Sequence, residues 1–91
     1  MEIIETNKAG TLSAAVTTLI NTHIEAMGKN QVKNLYALVM EAIEPALFKE
    51  VLKFSHYNQS EAARCLGLSR GTLRTRLEAY FGEKYISKLK G

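Results

Sequence analysis

The sequence predicts an all-α protein of four helices, of which the last two form a helix-turn-helix. Apolar residues recur at three- and four-residue steps along most of the chain, and no segment shows the two-residue alternation of a half-buried strand. Helix-forming residues dominate, and the chain contains one proline. Residues 58–80, NQSEAARCLGLSRGTLRTRLEAY, have the pattern of two short amphipathic helices separated by a glycine-centred turn.

Length and composition restrict the class of protein. A chain of 91 residues with 46% hydrophobic residues is one small domain, and its single cysteine excludes an internal disulfide, which fits a reducing cytoplasm. The first ten residues lack the basic start and apolar stretch of a signal peptide, and no apolar run approaches the ~20 residues of a membrane span. We therefore expect a cytoplasmic protein without a membrane partner.

Positive charge is concentrated in the C-terminal part of the chain. Residues 1–55 hold five lysines and six glutamates, a net charge of −1, whereas residues 56–91 hold seven Lys or Arg and three glutamates, a net charge of +4. An electrostatic footprint for phosphates requires this asymmetry. A solvated basic tail gives a similar count, so the charge alone does not identify a nucleic-acid site.

The N-terminal region is predicted to be a flexible arm followed by the first helix. Residues 1–10 are mixed, end in glycine and show no periodic pattern. The first helix is expected to begin near Thr11, as N-cap, and to end at Gly28, before a polar connector. Its apolar positions follow helical spacing: Leu12, Ala15, Val16, Leu19, Ile20, Ile24 and Met27.

The second helix is predicted from about Asn34 to about Ser55, and residues 11–56 are predicted to be dimerisation helices. Its main apolar stripe comprises Leu35, Leu38, Val39, Ala42, Ile43, Leu47, Val51 and Phe54. Four further apolar residues lie off this stripe: Tyr36, Met40, Phe48 and Leu52. One stripe can pack on the first helix, whereas the other residues need another partner, and a second copy of the chain is the natural one.

Pro45 falls inside this second helix, where it removes one backbone hydrogen bond and crowds the preceding turn. Two interpretations are possible, one bent helix or two helices separated at Glu44. Because the apolar pattern continues in phase across the proline, one bent helix is preferred.

The helix-turn-helix is predicted at residues 57–81, and its ends carry local signals. Asn58 is the expected N-cap of the third helix, and Glu61 completes a variant of the capping box. Gly67 suits the left-handed conformation that ends this helix, and Ser69 caps the next one. The side chains expected to face the interior are Ala62, Ala63, Cys65, Leu66 and Leu68.

The fourth helix is predicted to have one buried and one basic face. The buried face is expected to contain Leu73, Leu77 and Tyr80. Arg70 and Arg74, four residues apart, share an exposed edge, and Gly71 between them allows close approach to a partner. Residues 82–91 form a basic tail with helix-like apolar spacing. This tail either packs back on the domain or extends from it.

No catalytic, cofactor or metal site is predicted. His23 and His56 have no cysteine or second ligand at helical spacing. The chain contains no phosphate-binding GxxxxGK loop and no paired carboxylates arranged for acid–base chemistry. An enzyme is therefore not expected.

From Leu35 to Phe81 the chain resembles the Fis family of bacterial nucleoid-associated, DNA-bending proteins. The matching segments are LYALV (35–39), NQSEAA (58–63) and RGTLR (70–74), together with the proline in the long helix. The first helix fits without gaps, so the likeness covers about residues 12–81. The same C-terminal unit also closes the chains of NtrC-type transcriptional activators, which makes the whole-chain match the more diagnostic one.

The resemblance implies a homodimer whose first two helices intertwine and present two helix-turn-helix units to successive major grooves of double-stranded DNA. It also implies bending of A/T-centred sites selected by shape, transcription regulation in the bacterial nucleoid, and contacts with RNA polymerase or a recombinase. The DNA-binding residues that it implies are Asn58, Ser60, Ser69, Arg70, Thr72, Arg74, Thr75 and Arg76.

The roles of these residues follow from the matched positions. Arg70 matches the arginine that reaches a base edge, typically guanine, and most of the others match phosphate contacts. Ser69 stands where the best-known members have asparagine, and Thr75 where a basic residue is common. Lys84, Lys88 and Lys90 in the tail offer compensating charge. The arm of about ten residues is shorter than the one that some members use to stimulate recombinases, so that activity is not carried over.

Two alternative functions stay open at this level. One is a helical adaptor whose arginines bind an acidic protein partner, which predicts no binding to duplex DNA at low salt. The other is the DNA-binding end of a larger NtrC-type activator.

Overall fold

The computed structural model describes the backbone of residues 2–91 and the side chains of residues 10–91. Over these residues the chain forms five α-helices and a short 3-10 helix. They are α1 (Glu2–Met27), the 3-10 helix (Lys29–Gln31), α2 (Leu35–Phe54), α3 (Gln59–Leu66), α4 (Arg70–Phe81) and α5 (Glu83–Ser87). The all-α prediction is confirmed, with one α-helix more than the four predicted. Contacts divide the chain into two compact units, residues 1–39 and 40–91.

Helix α1 begins at Glu2, so the predicted start near Thr11 is wrong, and residues 2–10 continue the helix. The stretch before Thr11 contains Glu, Lys and Ala, which are strong helix formers, and Gly10 inside a helix costs only about 1 kcal/mol relative to alanine. The predicted end is confirmed, because Gly28 follows with φ +82° and its N–H donates to the Ile24 carbonyl at 2.8 Å.

The first unit leaves apolar surface uncovered. From residue 10 to residue 39 every side chain is either exposed or only half-buried. Leu12 is 54% exposed, Met27 49% and Tyr36 80%. An amphipathic helix is normally stabilised by burial of its apolar stripe, and a single chain does not supply that cover here.

Helix α2 is continuous across Pro45, which confirms one helix instead of two separated at Glu44. Two of its off-stripe residues, Phe48 and Leu52, are fully buried against the helix-turn-helix of the same chain. The expectation that they need a second copy is therefore wrong. The main stripe is covered only in part, since Val51 packs against the same core whereas Leu47 is 45% exposed and Phe54 75%.

The second unit has a compact apolar core built from four helices. Its buried apolar members are Phe48, Leu52, Ala62, Ala63, Leu73, Leu77 and Ile86. Ile86 belongs to α5, and Tyr85 and Leu89 pack against the same core, so the tail folds back on the domain. The rings of Phe81 and Tyr85 pack at 4.8 Å between centroids with an angle of 42° between their planes, which fixes α5 to the end of α4. None of the helices in residues 2–91 is long and apolar enough to cross a membrane.

Candidate nucleic-acid interface

The ends of α3 form as their local signals predict. The Glu61 backbone N–H donates to Asn58 Oδ1 at 2.8 Å, so Asn58 is the N-cap. Gly67 adopts the left-handed conformation, with φ 76° and ψ 25°, and its N–H donates to the carbonyls of Ala63 and Arg64. The next N–H, that of Leu68, donates to the Ala63 carbonyl at 3.0 Å. These bonds satisfy the last carbonyls of α3 and set the turn into α4.

The capping box predicted at Glu61 does not form. The Glu61 carboxylate accepts hydrogen bonds from the Arg64 guanidinium, whereas the Asn58 N–H donates to the Ser55 carbonyl at 3.2 Å. The hydrogen bond from Arg64 lowers the pKa of Glu61, and the pKa of Arg64 is raised by the same contact. An arginine three residues further along the helix is the stronger partner, because it carries a full positive charge.

Cys65 is exposed, so its predicted burial is wrong. The inward positions of α3 are taken by Ala62, Ala63 and Leu66. At about 100° per residue, Cys65 lies about 100° around the helix from the centre of that buried face. Its Sγ instead lies beside the exposed Arg64 guanidinium, at 3.9 Å.

Helix α4 has a buried face and an outward face whose N-terminal half consists of small residues. Ser69 caps it, with the Thr72 N–H donating to Ser69 Oγ at 3.0 Å. The face against the core contains Leu73, Leu77 and the half-buried Tyr80. On the opposite side, at about 100° per residue, lie Gly71, Thr75, Glu78 and Ala79, whereas the half-buried Thr72 lies at the edge of that side. An open depression of about 500 Å³ follows this face and is lined by Ser69, Gly71, Thr72, Thr75 and Arg76.

Three exposed arginines flank this outward face. Arg70 and Arg74 follow one edge of α4, whereas Arg76 lies on the other edge. Arg74 makes no hydrogen bond or ion pair with the described side chains. Arg70 and Arg76 each have one partner outside the helix. These two partners lie near the two ends of the sequence of the second unit.

The first of these partners is Glu44 on α2. Arg76 Nη1 donates to Glu44 Oε2 at 2.8 Å, and the Tyr80 hydroxyl donates to Glu44 Oε1 at 2.7 Å. The hydrogen bond to this carboxylate, together with burial, raises the pKa of Tyr80 to about 12. The Glu44 carboxylate therefore accepts hydrogen bonds from an arginine beside the outward face and from a tyrosine of the buried face.

The second partner is the main chain of the C-terminal segment. Arg70 Nε donates to the Gly91 oxygen at 2.8 Å. The preceding residue, Lys90, forms an isolated parallel bridge with Asn58 at the start of α3. Gly91 therefore lies between Asn58 and Arg70, which are two of the residues predicted to bind DNA.

The structure thus groups most of the predicted site. Six of its eight residues lie on α4 or at its N-cap: Ser69, Arg70, Thr72, Arg74, Thr75 and Arg76. Asn58 and the exposed Ser60 lie at the start of α3. Two contributors were missed, Glu44 and Gly91. The helical spacing of apolar residues after Gly82 was the available signal for a folded tail, but nothing local indicated its contact with Arg70.

The sequence pattern of one family, described as bacterial regulatory protein, Fis family, matches residues 39–80. DNA-binding protein Fis of Proteus mirabilis is 32% identical over 69 residues, which cover 76% of this chain and 70% of that protein. The proteins of the same name from Vibrio atlanticus and Photobacterium profundum are 30% identical over equal shares. The chain belongs to the Fis family.

The Fis-family match contains all of α3 and the whole predicted site, from Asn58 to Arg76. It ends at Tyr80, the last residue but one of α4. Helix α5 and the segment that reaches Arg70 therefore lie beyond the matched residues.

Proposed function

We propose that this Fis-family protein binds double-stranded DNA as a homodimer and bends it. In this role it is a non-enzymatic transcription regulator and nucleoid-associated protein in a bacterial cytoplasm, with weak, shape-based selectivity. The relatives carry the name DNA-binding protein Fis, and the family description is that of a regulatory protein. RNA polymerase or a recombinase is a further partner that this function allows.

The outward face of α4 is the observation that carries the proposal. The N-terminal half of this face consists of Gly71 and Thr75, with Thr72 at its edge, and these residues are small enough to let the helix backbone approach a groove closely. Exposed arginines line both edges, where the phosphates of the two strands would pass. A solvated helix face has no need of small residues between its cations, so the combination favours a DNA groove.

Each predicted residue has a role in this arrangement. Arg70, at the first position of α4, is the base-reading residue, because the N-terminal turn of a recognition helix reaches base edges and arginine pairs with guanine. Arg74 and Arg76 contact phosphates through their guanidinium N–H groups. The Ser69 hydroxyl donates to Thr72 Oγ1 at 2.8 Å and so orients the Thr72 hydroxyl. The remaining hydroxyls and the amide donate to phosphate oxygens: Asn58, Ser60, Thr72 and Thr75.

Exposed apolar residues support a dimer. Leu12 and Met27 of α1 and Tyr36, Leu47 and Phe54 of α2 are all exposed in the single chain. Full burial of one such side chain stabilises a fold by about 1.5–3 kcal/mol. A second copy that packs against α1 and α2 would recover this free energy and present two helix-turn-helix units to one duplex.

The small number of base-reading side chains supports selection by shape. Arg70 is the one long polar side chain in the first turn of α4, and the residues that follow it, Gly71 and Thr72, are small. With so little direct base contact, specificity is expected to come from how easily a sequence bends, as at pyrimidine–purine steps.

The test is DNA binding by fluorescence anisotropy at several salt concentrations, on bendable and on stiff A/T-centred duplexes, with sedimentation to measure the oligomeric state. We expect a dimer that prefers the bendable duplex. Contacts from Arg74 and Arg76 of two chains predict a slope of log K against log salt of about −3.6 or steeper. Arg70→Ala should weaken binding about tenfold or more, because one bidentate base contact is lost from each copy.

Lys53→Ala is the matched control, since it removes one positive charge from an exposed residue of α2 whose one ion pair among the described side chains is with Glu50. Its affinity should stay near that of the wild type. Binding that does not respond to salt, or an Arg70→Ala protein that binds like the wild type, would contradict the proposed function.

A further inference from the structure

The C-terminal segment, residues 88–91, is fixed to the start of α3 by its main chain. The Lys90 N–H donates to the Tyr57 carbonyl at 2.8 Å, and the Gln59 N–H donates to the Lys90 carbonyl at 2.7 Å. Leu89 packs against the apolar core just before this bridge. The segment is therefore anchored in two ways, by an apolar side chain and by two backbone hydrogen bonds.

Gly91 fits its place only as glycine. Its φ of +82° lies in the left-handed region, and a Cβ atom would stand 2.7 Å from Asn58 Oδ1. That oxygen cannot easily move away, because it already accepts the Glu61 N–H that starts α3. In this position the Gly91 oxygen accepts from Arg70 Nε at 2.8 Å.

We propose that residues 88–91 position Arg70 for base contact, an inference that rests on the proposed DNA-binding function. An arginine has five N–H donors, and the bond to Gly91 uses only the one on Nε. The two terminal amino groups keep four N–H donors without a partner among the described residues. Those groups form an end-on bidentate contact with guanine O6 and N7.

Positioning matters because an unheld arginine loses much rotamer freedom when it binds. That entropic loss is taken only when the contact with guanine forms, and it lowers affinity by about three- to tenfold. Affinity for a base that arginine does not contact is unaffected. The segment should therefore change the ratio of affinities for duplexes with and without the guanine contact. A general loss of folding lowers both affinities equally and leaves this ratio unchanged.

Two variants of one residue separate the anchor from its charge. Lys90→Pro removes the N–H that donates to Tyr57, whereas Lys90→Gln keeps it, and both lose the lysine charge. The probes are an A/T-centred duplex with guanines in both flanks and the same duplex with every guanine replaced by 7-deazaguanine. The wild type should prefer the first probe about fivefold. Lys90→Gln should keep this ratio and Lys90→Pro should lower it to about twofold or less.

Gly91→Ala provides a second route to the same result and should also lower the ratio. Helical circular dichroism confirms that each variant is folded. In an Arg70→Ala background the proline and glutamine variants should show equal ratios. If Lys90→Pro and Lys90→Gln keep the same ratio with Arg70 present, or if Lys90→Pro binds the guanine duplex more tightly than Lys90→Gln, the positioning role is overturned. An Arg70-dependent preference in the wild type would still stand in that case, which separates this failure from failure of the proposed function.

Discussion

The Glu44 carboxylate should contribute about 2 kcal/mol to the stability of the fold. It accepts from the Tyr80 hydroxyl at 2.7 Å and from Arg76 at 2.8 Å, and its side chain is only 18% exposed. A hydrogen bond to a charged group contributes about 1.5 kcal/mol. The Arg76 side chain is 45% exposed, so water screening reduces its ion pair to about 0.5 kcal/mol. Glu44→Ala removes both contacts and should lower the free energy of unfolding by that total.

Urea unfolding followed by helical circular dichroism measures this loss. All proteins are compared at one concentration, because association of two copies would change the apparent stability. Glu44→Gln keeps an oxygen for Tyr80 and loses the charge, so we expect a loss of about 1 kcal/mol. Glu41→Ala removes the same charge from an exposed position one turn earlier in α2 and should change stability by less than about 0.5 kcal/mol.

A double-mutant cycle decides whether the contact with Tyr80 is the cause. In a Tyr80→Phe background the hydroxyl is absent, so Glu44→Ala should lose only about 0.5 kcal/mol, the share of Arg76. A loss of about 2 kcal/mol in both backgrounds would refute the estimate. So would a loss in the single variant no larger than that of Glu41→Ala.

Two further predictions concern pH and the turn. The folded state raises the pKa of Tyr80 from 10.0 to about 12, chiefly through Glu44. This contribution to stability should therefore be complete below about pH 10 and lost as the pH rises toward 12, and the difference between wild type and Tyr80→Phe in urea unfolding should shrink over that range. Gly67→Ala should lower the free energy of unfolding by about 1 kcal/mol, because φ is +76° and the space around it is open, so the effect is one of backbone conformation alone. Gly71→Ala, also in open space but helical, should be neutral or stabilising by up to about 1 kcal/mol, and equal losses in the two alanine variants would contradict this explanation.

The helix-turn-helix was predictable because its determinants are local. Asn58 and Ser69 accept N–H groups three residues away, and Gly67 needs only its own φ, so each signal lies inside the segment that it shapes. The boundaries of α2 were predictable for the same reason. Continuity across Pro45 followed from the phase of the apolar residues on either side.

The missed features depend on distant residues or on small local energies. Glu44 contacts residues 32 and 36 positions away, and Gly91 contacts Arg70 21 positions back, separations for which the sequence carries no periodic signal. His56 and Tyr57 adopt positive φ without being glycine, which no local pattern indicates. The start of α1 was misplaced because Gly10 looked like a terminator, although its helical penalty is small beside the helix-forming residues around it.

The exposure of Cys65 gives this protein a built-in attachment point. It is the single cysteine of the chain, and it lies on the surface of α3 inside the helix-turn-helix. A thiol-reactive spin label would mark one defined position in each copy without adding or removing any residue. In the proposed dimer, the label-to-label distance would report the separation of the two DNA-binding units. Comparing that distance in free and DNA-bound protein would show whether the duplex adjusts to the protein or the protein to the duplex.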